Sequence, residues 1–293
     1  MMNVLRQLYQ ERESLDETLA IVVIEQEQSP LSITDGSDVI ILLIHNQQNK
    51  DWQVTHYHIE GKHISFHCLS EGMMHHSLIV GNQRRLIDWL INGMVAFDRN
   101  DFLQNIRVRI QTFPPEDRSK KMTIQFTKLI RRFEEGKALF ENDLLLDAYS
   151  NMMHALHHLA RLSVIRFGYY PEMNVWEQVR HIDPQTFRLY QELLNSEETL
   201  KKRIELLIIA TDFAIHSVTE VGTQHFLSIV ASGISTLSEF MKNEEVKDYR
   251  IDIELLVRRL VENGFLIYKK KATNMQGIDK VHYLVPFSTN SFR

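Results

Sequence analysis

Two short runs constrain the fold of this chain more than anything else in it: "LAIVVI" at residues 19–24 and "VIILLI" at residues 39–44 are apolar at every position. A strand with one face in water alternates apolar and polar side chains, because successive residues point to opposite sides. Neither run alternates. Both are expected as strands buried on both faces, inside a covered sheet. "QVTHYHIEGKHISFHCL" (residues 53–69) does alternate and reads as a β-hairpin turning at Gly61. Residues 84–97 have helical apolar spacing, and residues 107–110 are expected to add one more strand.

The pattern then changes. "FPPEDRSK" (residues 113–120) reads as a linker, since neither proline favours continuing a strand or helix. Apolar residues three and four apart predict helices over 122–140, 143–167, 186–194 and 199–218, interrupted at Gly168 and Pro171, which is the pattern of a four- or five-helix bundle. After residue 223 come a short helix, a turn, and a second amphipathic helix stopped by Asn263-Gly264. Two strands follow, around a loop containing Gly277. Helix, helix, hairpin is the order of a winged helix. The expected fold class is α+β, with a sheet domain at 1–117, a helical bundle at 118–222 and a winged helix at 223–293.

Composition narrows the setting. No apolar run approaches the roughly 18 residues a membrane span requires, and the start of the chain lacks the apolar core of a signal peptide. Cys68 is the only cysteine, which excludes an internal disulfide and fits a reducing cytoplasm. Net charge is −5, so overall charge does not argue for nucleic acid.

The stretch "SITDGSDVIILLI" (residues 32–44), preceded by residues 19–24 and followed by "HISFHCLS" and "GMVAFDRNDFLQNI", resembles the polymerase-β-type nucleotidyltransferase fold of minimal and aminoglycoside nucleotidyltransferases. More closely, the whole chain resembles a family of Gram-positive bacterial nucleotidyltransferase-like proteins. Those join a degenerate transferase domain, a helical substrate-binding-like domain and a C-terminal winged helix. In active members of the fold a strand written Asp-x-Asp places two carboxylates on one side for two magnesium ions, and a Gly-Ser turn cradles phosphate. Asp38 matches the first aspartate. Ile40 stands at the second, Glu25 and Gln26 at the Gly-Ser turn, and residues 63–69 hold no carboxylate where a third is expected. Magnesium is implied only if the chain is active.

Histidines are unusually frequent, at 14. Pairing Glu60 with His63 puts Tyr57, Ile59, Ile64, Phe66 and Cys68 on one hairpin face. His56, His58, Glu60, His63, Ser65 and His67 then share the other. Asp38, His56 and His67 are the weak metal candidates, against a plain polar face. On the helix through 143–167, Asp147, Asn151, His154, His158 and Arg161 form one stripe, and His154 and His158 stand one turn apart. The resemblance implies a cleft to which Glu25, Gln26, Asp38, His67, His154 and His158 contribute; an ordinary exposed helix face is the competing reading.

For nucleic acid, Arg258 and Arg259 lie on the second helix of the winged helix, beside Asp252, Glu254 and Glu262, which oppose phosphate. Lys269, Lys270, Lys271 and Lys280 crowd the wing. Three functions remain open on sequence: a degenerate transferase binding a small ligand or nucleotide in a sensing or regulatory role, an active metal-dependent transferase acting on a small acceptor, and a DNA-binding regulator.

Overall fold

A computed structural model of the chain describes residues 2–26, 34–47, 52–81, 83–172, 174–274 and 277–286. Ser32 and Ile33 of the quoted stretch lie outside them. The chain divides into two compact units, Met1–Pro114 and Pro115–Arg293.

The first unit is a five-stranded sheet with helices. Its elements are α1 (Met2–Glu13), β1 (Thr18–Glu25), β2 (Val39–His45), β3 (Gln53–Ile59), β4 (Lys62–Ser70), α2 (Glu71–Val80), α3 (Arg84–Asn92), β5 (Met94–Asp98) and α4 (Phe102–Thr112). Strand order is β3-β4-β2-β1-β5. The two wholly apolar runs are the central β1 and β2, buried nearly throughout, as their lack of alternation requires. Val39, Ile41 and Leu43 join Ile64 and Phe66 of β4 and Leu5 and Tyr9 of α1 in one core layer. Ile40, Leu42 and Ile44 pair with Ser65, His67 and Leu69 and so face the opposite layer, where Trp89 of α3 meets His67.

Two expectations change here. The hairpin pairs Tyr57 with Ile64 and His56 with Ser65, two residues away from the expected register. A two-residue shift keeps every side chain on its face, so the face assignment stands while the partners move. The cause is the turn: Glu60 and Gly61 both take positive φ, 50° and 79°, as a tight two-residue hairpin turn requires. Residues 84–97 are not one helix. α3 stops at Asn92, and Met94–Asp98 pairs with β1 as the fifth strand. Residues 107–110 belong to α4, where Arg107 donates to the carbonyls of Leu90 and Gly93 at 2.8 Å each.

The second unit begins with α5 (Pro115–Glu141), so the expected linker shrinks, with Pro115 tolerated in the first turn of a helix where no N–H partner is needed. It continues with α6 (Leu145–Arg166), α7 (Val175–Ile182), α8 (Pro184–Asn195), α9 (Leu200–Ala231), α10 (Leu237–Lys242), α11 (Ile253–Glu262), β6 (Ile267–Ala272) and β7 (Asp279–Leu284). α9 runs straight through Gly222. A Cβ there would lie 2.8 Å from the Phe126 ring, so this glycine serves close helix packing rather than a break. α5, α6 and α9 form the bundle, and α10, α11 and the β6-β7 hairpin form the winged helix.

Candidate functional site

Three regions hold the residues expected to carry function. The first is the corner of the sheet where Asp38 enters β2. Asp38 donates its backbone N–H to the His63 carbonyl at 2.9 Å, and its carboxylate accepts the His63 N–H at 2.7 Å. The carboxylate therefore fastens the mouth of the β2-β4 pair, a charge-assisted bond worth roughly 1.5–3 kcal/mol. Ile40, two residues on, is 1% exposed. Beside it in register is Ser65, whose hydroxyl shares a hydrogen bond of 2.6 Å with Ser37 and one of 2.9 Å with His56 Nδ1. Asp35 forms an ion pair with Arg85 of α3, and that guanidinium lies over the Trp89 ring.

His67 completes the corner. It is 4% exposed, accepts the Trp52 Nε1–H at Nδ1 over 3.0 Å, and is flanked edge-on by Trp52 and Trp89. Burial, and then the neighbouring His56, lower its pKa to about 4. It is a neutral, aromatic-packed hydrogen-bond acceptor. The corner offers the Asp38 carboxylate, already used by the backbone, the Asp35 carboxylate, already paired with Arg85, an isoleucine and hydroxyls. Oxygen-rich sites with several carboxylates are what magnesium pairs need, and this donor set does not fit them. Among the described residues, no three of His, Cys, Asp and Glu cluster as a metal site.

The second region is the seam between α5 and α6. His158 Nδ1 meets Gln125 Oε1 at 3.0 Å, and Arg132 donates to Asn151 Oδ1 at 3.1 Å. These two bonds fix an antiparallel register in which Gln125 faces His158 and Arg132 faces Asn151. Lys128 lies between them on α5, one turn from either neighbour, and His154 and Arg161 flank His158 on α6. Burial pushes the His158 pKa down to about 3, and the positive charges of Arg161, Lys128 and Arg132 and the nearby His154 push it the same way. At one turn's separation in a half-buried setting, like charges repel by roughly 1–3 kcal/mol. Next to the seam, His157 accepts from Trp176 Nε1 over 3.4 Å, and Trp176 stacks on Tyr190 at 4.0 Å with an interplanar angle of 11°.

The third region is the winged helix. Arg259 is not presented to solvent: its side chain is 14% exposed and forms ion pairs with Glu134 of α5, at 3.3 Å, and with Asp212 of α9. Arg131 of α5 likewise reaches Asp252 at 3.1 Å. These bonds fix α11 to the bundle. What α11 turns outward is the row Glu254, Arg258 and Glu262, the last two 3.9 Å apart. An apolar groove of about 500 Å³ runs beneath, floored by Val257, Val261, Tyr268, Val281 and Tyr283. On the wing, Lys271 pairs with Lys280 and Lys269 with His282, so these side chains share one face. Tyr268, Lys270 and Val281 share the other, toward the groove.

Comparison with known proteins matches three family models in chain order: Nucleotidyltransferase-like over residues 1–118, YgxA-like substrate binding domain over residues 119–218 and Helix-turn-helix domain over residues 224–285. The YgxA protein of Bacillus subtilis is 40% identical over 267 residues, 91% of each chain. The chain belongs to the YgxA family of nucleotidyltransferase-like proteins. A solved structure of a nucleotidyltransferase-like protein from Exiguobacterium sibiricum matches with a TM-score of 0.85 and 34% identity, over 97% of this chain and 99% of that one.

Within this YgxA-family chain, the structure brings together only some of the residues singled out on sequence. Asp38, His56 and His67 do share one corner with Ser65, which the hairpin pattern had placed on their face, joined there by Ser37, Trp52, Trp89 and Arg85, which sequence reading passed over. Glu25 ends β1 opposite Val39, and Gln26 donates its N–H to the Asp38 carbonyl at 3.0 Å. The backbone that would form a phosphate-binding turn is here a continuation of the strand pairing. His154 is exposed while His158 is turned against α5, so the pair does not present two imidazoles side by side. The α5 half of the seam, Gln125, Lys128 and Arg132, was also passed over, although polar residues at helical spacing inside a largely apolar helix are the signal that could have found it.

Proposed function

We propose that this protein is a non-catalytic member of the nucleotidyltransferase-like fold that binds a small ligand or nucleotide in a sensing or regulatory role. The observation that carries this reading is Ile40, buried at the second metal position and paired with a serine. Glu25 and Gln26 replace the phosphate turn, and the Asp38 carboxylate is engaged by the His63 N–H. Each missing catalytic group costs orders of magnitude in rate, and the losses fall on one machinery together. A ligand-binding role is supported by the match of residues 119–218 to a substrate-binding domain model. A thermal-shift screen of nucleotides and phosphorylated metabolites, with and without magnesium, tests it. A ligand that binds the native state raises the melting temperature, and the shift is expected to be independent of magnesium. No shift with any compound would sink the reading.

A second reading has its own observation. Lys269, Lys271 and Lys280 share one face of the wing, and the matched helix-turn-helix model covers this segment. The wing would then supply phosphate contacts to duplex DNA, while the Glu254–Arg258–Glu262 row contributes little. Binding of mixed-sequence duplex should weaken steeply with salt, and Lys269→Ala with Lys271→Ala should lower the salt slope by about 2. Affinity that ignores salt would count against it.

A further inference from the structure

α9 buries one side and leaves an apolar ridge on the other. Ile204, Leu207, Thr211, Ile215 and Val218 form its buried side. At 3.6 residues per turn, Lys202, Leu206, Ile209, Phe213 and Glu220 fall within about 60° of one another on the opposite side. Leu206 is 49% exposed, Ile209 63% and Phe213 77%. Single exposed apolar side chains are ordinary, but these three stand on successive turns of one helix and form a continuous strip. Helices flank the strip without covering it. On one side Arg203 donates to the Leu193 carbonyl of α8 at 3.2 Å. A groove of about 210 Å³ lined by Leu189, Leu193, Leu206, Leu207 and Ala210 extends the apolar surface there. On the other side Asp212 pairs with Arg259 of α11, and His216 with Asn263 at 3.2 Å.

The ends of the strip identify what fits it. Lys202 stands exposed at one end, where it reaches Glu205 at 2.8 Å, and Glu220 stands exposed at the other. Lys202 precedes Ile209 by seven residues, and Glu220 follows Phe213 by seven. A second α9 laid antiparallel, centred on residue 211, therefore sets Ile209 on Phe213 of the second copy and Lys202 opposite its Glu220. The two-fold repeats both contacts. A parallel copy would set lysine against lysine and glutamate against glutamate. Complementarity to its own reversal is the property of an isologous interface, and an unrelated helical partner would not require it.

We propose that this ridge, with the α8 side of its groove, is the two-fold interface of a homodimer in which two α9 helices pack antiparallel. From Lys202 to Glu220 the ridge is about 27 Å long. With α8 included, the face lies toward the small end of standard interfaces, which bury roughly 800 Å² per partner. Such a dimer dissociates at roughly micromolar concentration.

Sedimentation velocity of the full chain from roughly 1 to 100 µM, at low salt, tests the proposal. Wild type should pass from monomer to dimer across this range. Phe213→Glu should raise the dissociation constant at least about tenfold, because it sets a carboxylate on Ile209 of the second copy at the centre of the face. Lys202→Glu and Glu220→Lys should each weaken the dimer about threefold or more by opposing like charges. The double variant, with the two charges exchanged, should recover most of that loss. Ile278→Ser, which removes an exposed apolar side chain of the wing, should dimerise as wild type. All these positions are exposed, and circular dichroism with the melting temperature of each variant separates lost association from lost folding. A chain that stays monomeric at every concentration would overturn the proposal. So would a dimer that Phe213→Glu leaves intact, or charge-reversed single variants that the double exchange does not rescue.

Discussion

Two histidines, one in each unit, are held neutral by burial, and what surrounds them differs. His67 in the sheet corner sits between Trp52 and Trp89 and beside His56, in a pocket whose polar groups are hydroxyls and a hydrogen-bonded carboxylate. His158 in the helical seam sits among Arg161, Lys128 and Arg132. The corner uses the Asp38 carboxylate and the Ser37 and Ser65 hydroxyls in hydrogen bonds of its own and buries Ile40 beside them. The seam surrounds its buried imidazole with long basic side chains on two helices.

The sharpest way to break this contrast is to put chemistry back into the corner. Ile40→Asp restores the missing aspartate on paper, but it places a carboxylate in a layer that is 1% exposed and packed under α3. The expected cost is about 4 kcal/mol or more, read as a large fall in denaturant midpoint with no gain of magnesium-dependent activity. A variant that folds as well as wild type would show the corner to be more open than described.

Acid separates the two histidines from ordinary surface ones. The folded pKa of His67, about 4, lies below the value near 6.5 of an unfolded chain. As pH falls through 6.5 the unfolded state therefore takes up a proton that the folded state refuses. Stability present above pH 6.5 is lost progressively down to about pH 4. For His67 this amounts to roughly 2 kcal/mol between pH 7 and pH 5, and His67→Gln, which can still accept from Trp52, should flatten that part of the profile. His158 adds a slope of the same sign in the second unit.

A smaller effect is expected at the winged helix. Arg259→Ala removes two ion pairs from a side chain that is 14% exposed. Stability should fall by roughly 1–3 kcal/mol while affinity for duplex DNA stays unchanged, the reverse of the wing lysines. Loss of DNA binding at unchanged stability would return Arg259 to the interface.

Much of the fold was legible because apolar pattern reports burial directly. β1, β2 and the faces of the β3-β4 hairpin followed from presence or absence of alternation, and the helix, helix, hairpin order of the winged helix was plain. What failed has a common cause. Pattern fixes faces but not partners, so a register shift of two was invisible until Glu60 and Gly61 set the turn. Alternation in "RVRI" imitates a strand, yet Arg107 is drawn into α4 by carbonyls at Leu90 and Gly93. The absence of a carboxylate at Ile40 and over residues 63–69 could be read from residue identity alone. The seam could not, because half of it lies on α5 and half on α6, and one helix's stripe says nothing of what faces it. Arg259 likewise looked like a nucleic-acid contact until Glu134 and Asp212 came beside it.

The central claim is binding without nucleotidyl transfer, and pyrophosphate release tests it most directly. The full chain is incubated with each of the four ribonucleoside triphosphates, magnesium and a mixed set of small hydroxyl and amine acceptors, alongside Asp38→Asn. The account predicts release no faster than that of Asp38→Asn. Magnesium-dependent release by the wild type that disappears in Asp38→Asn would contradict it.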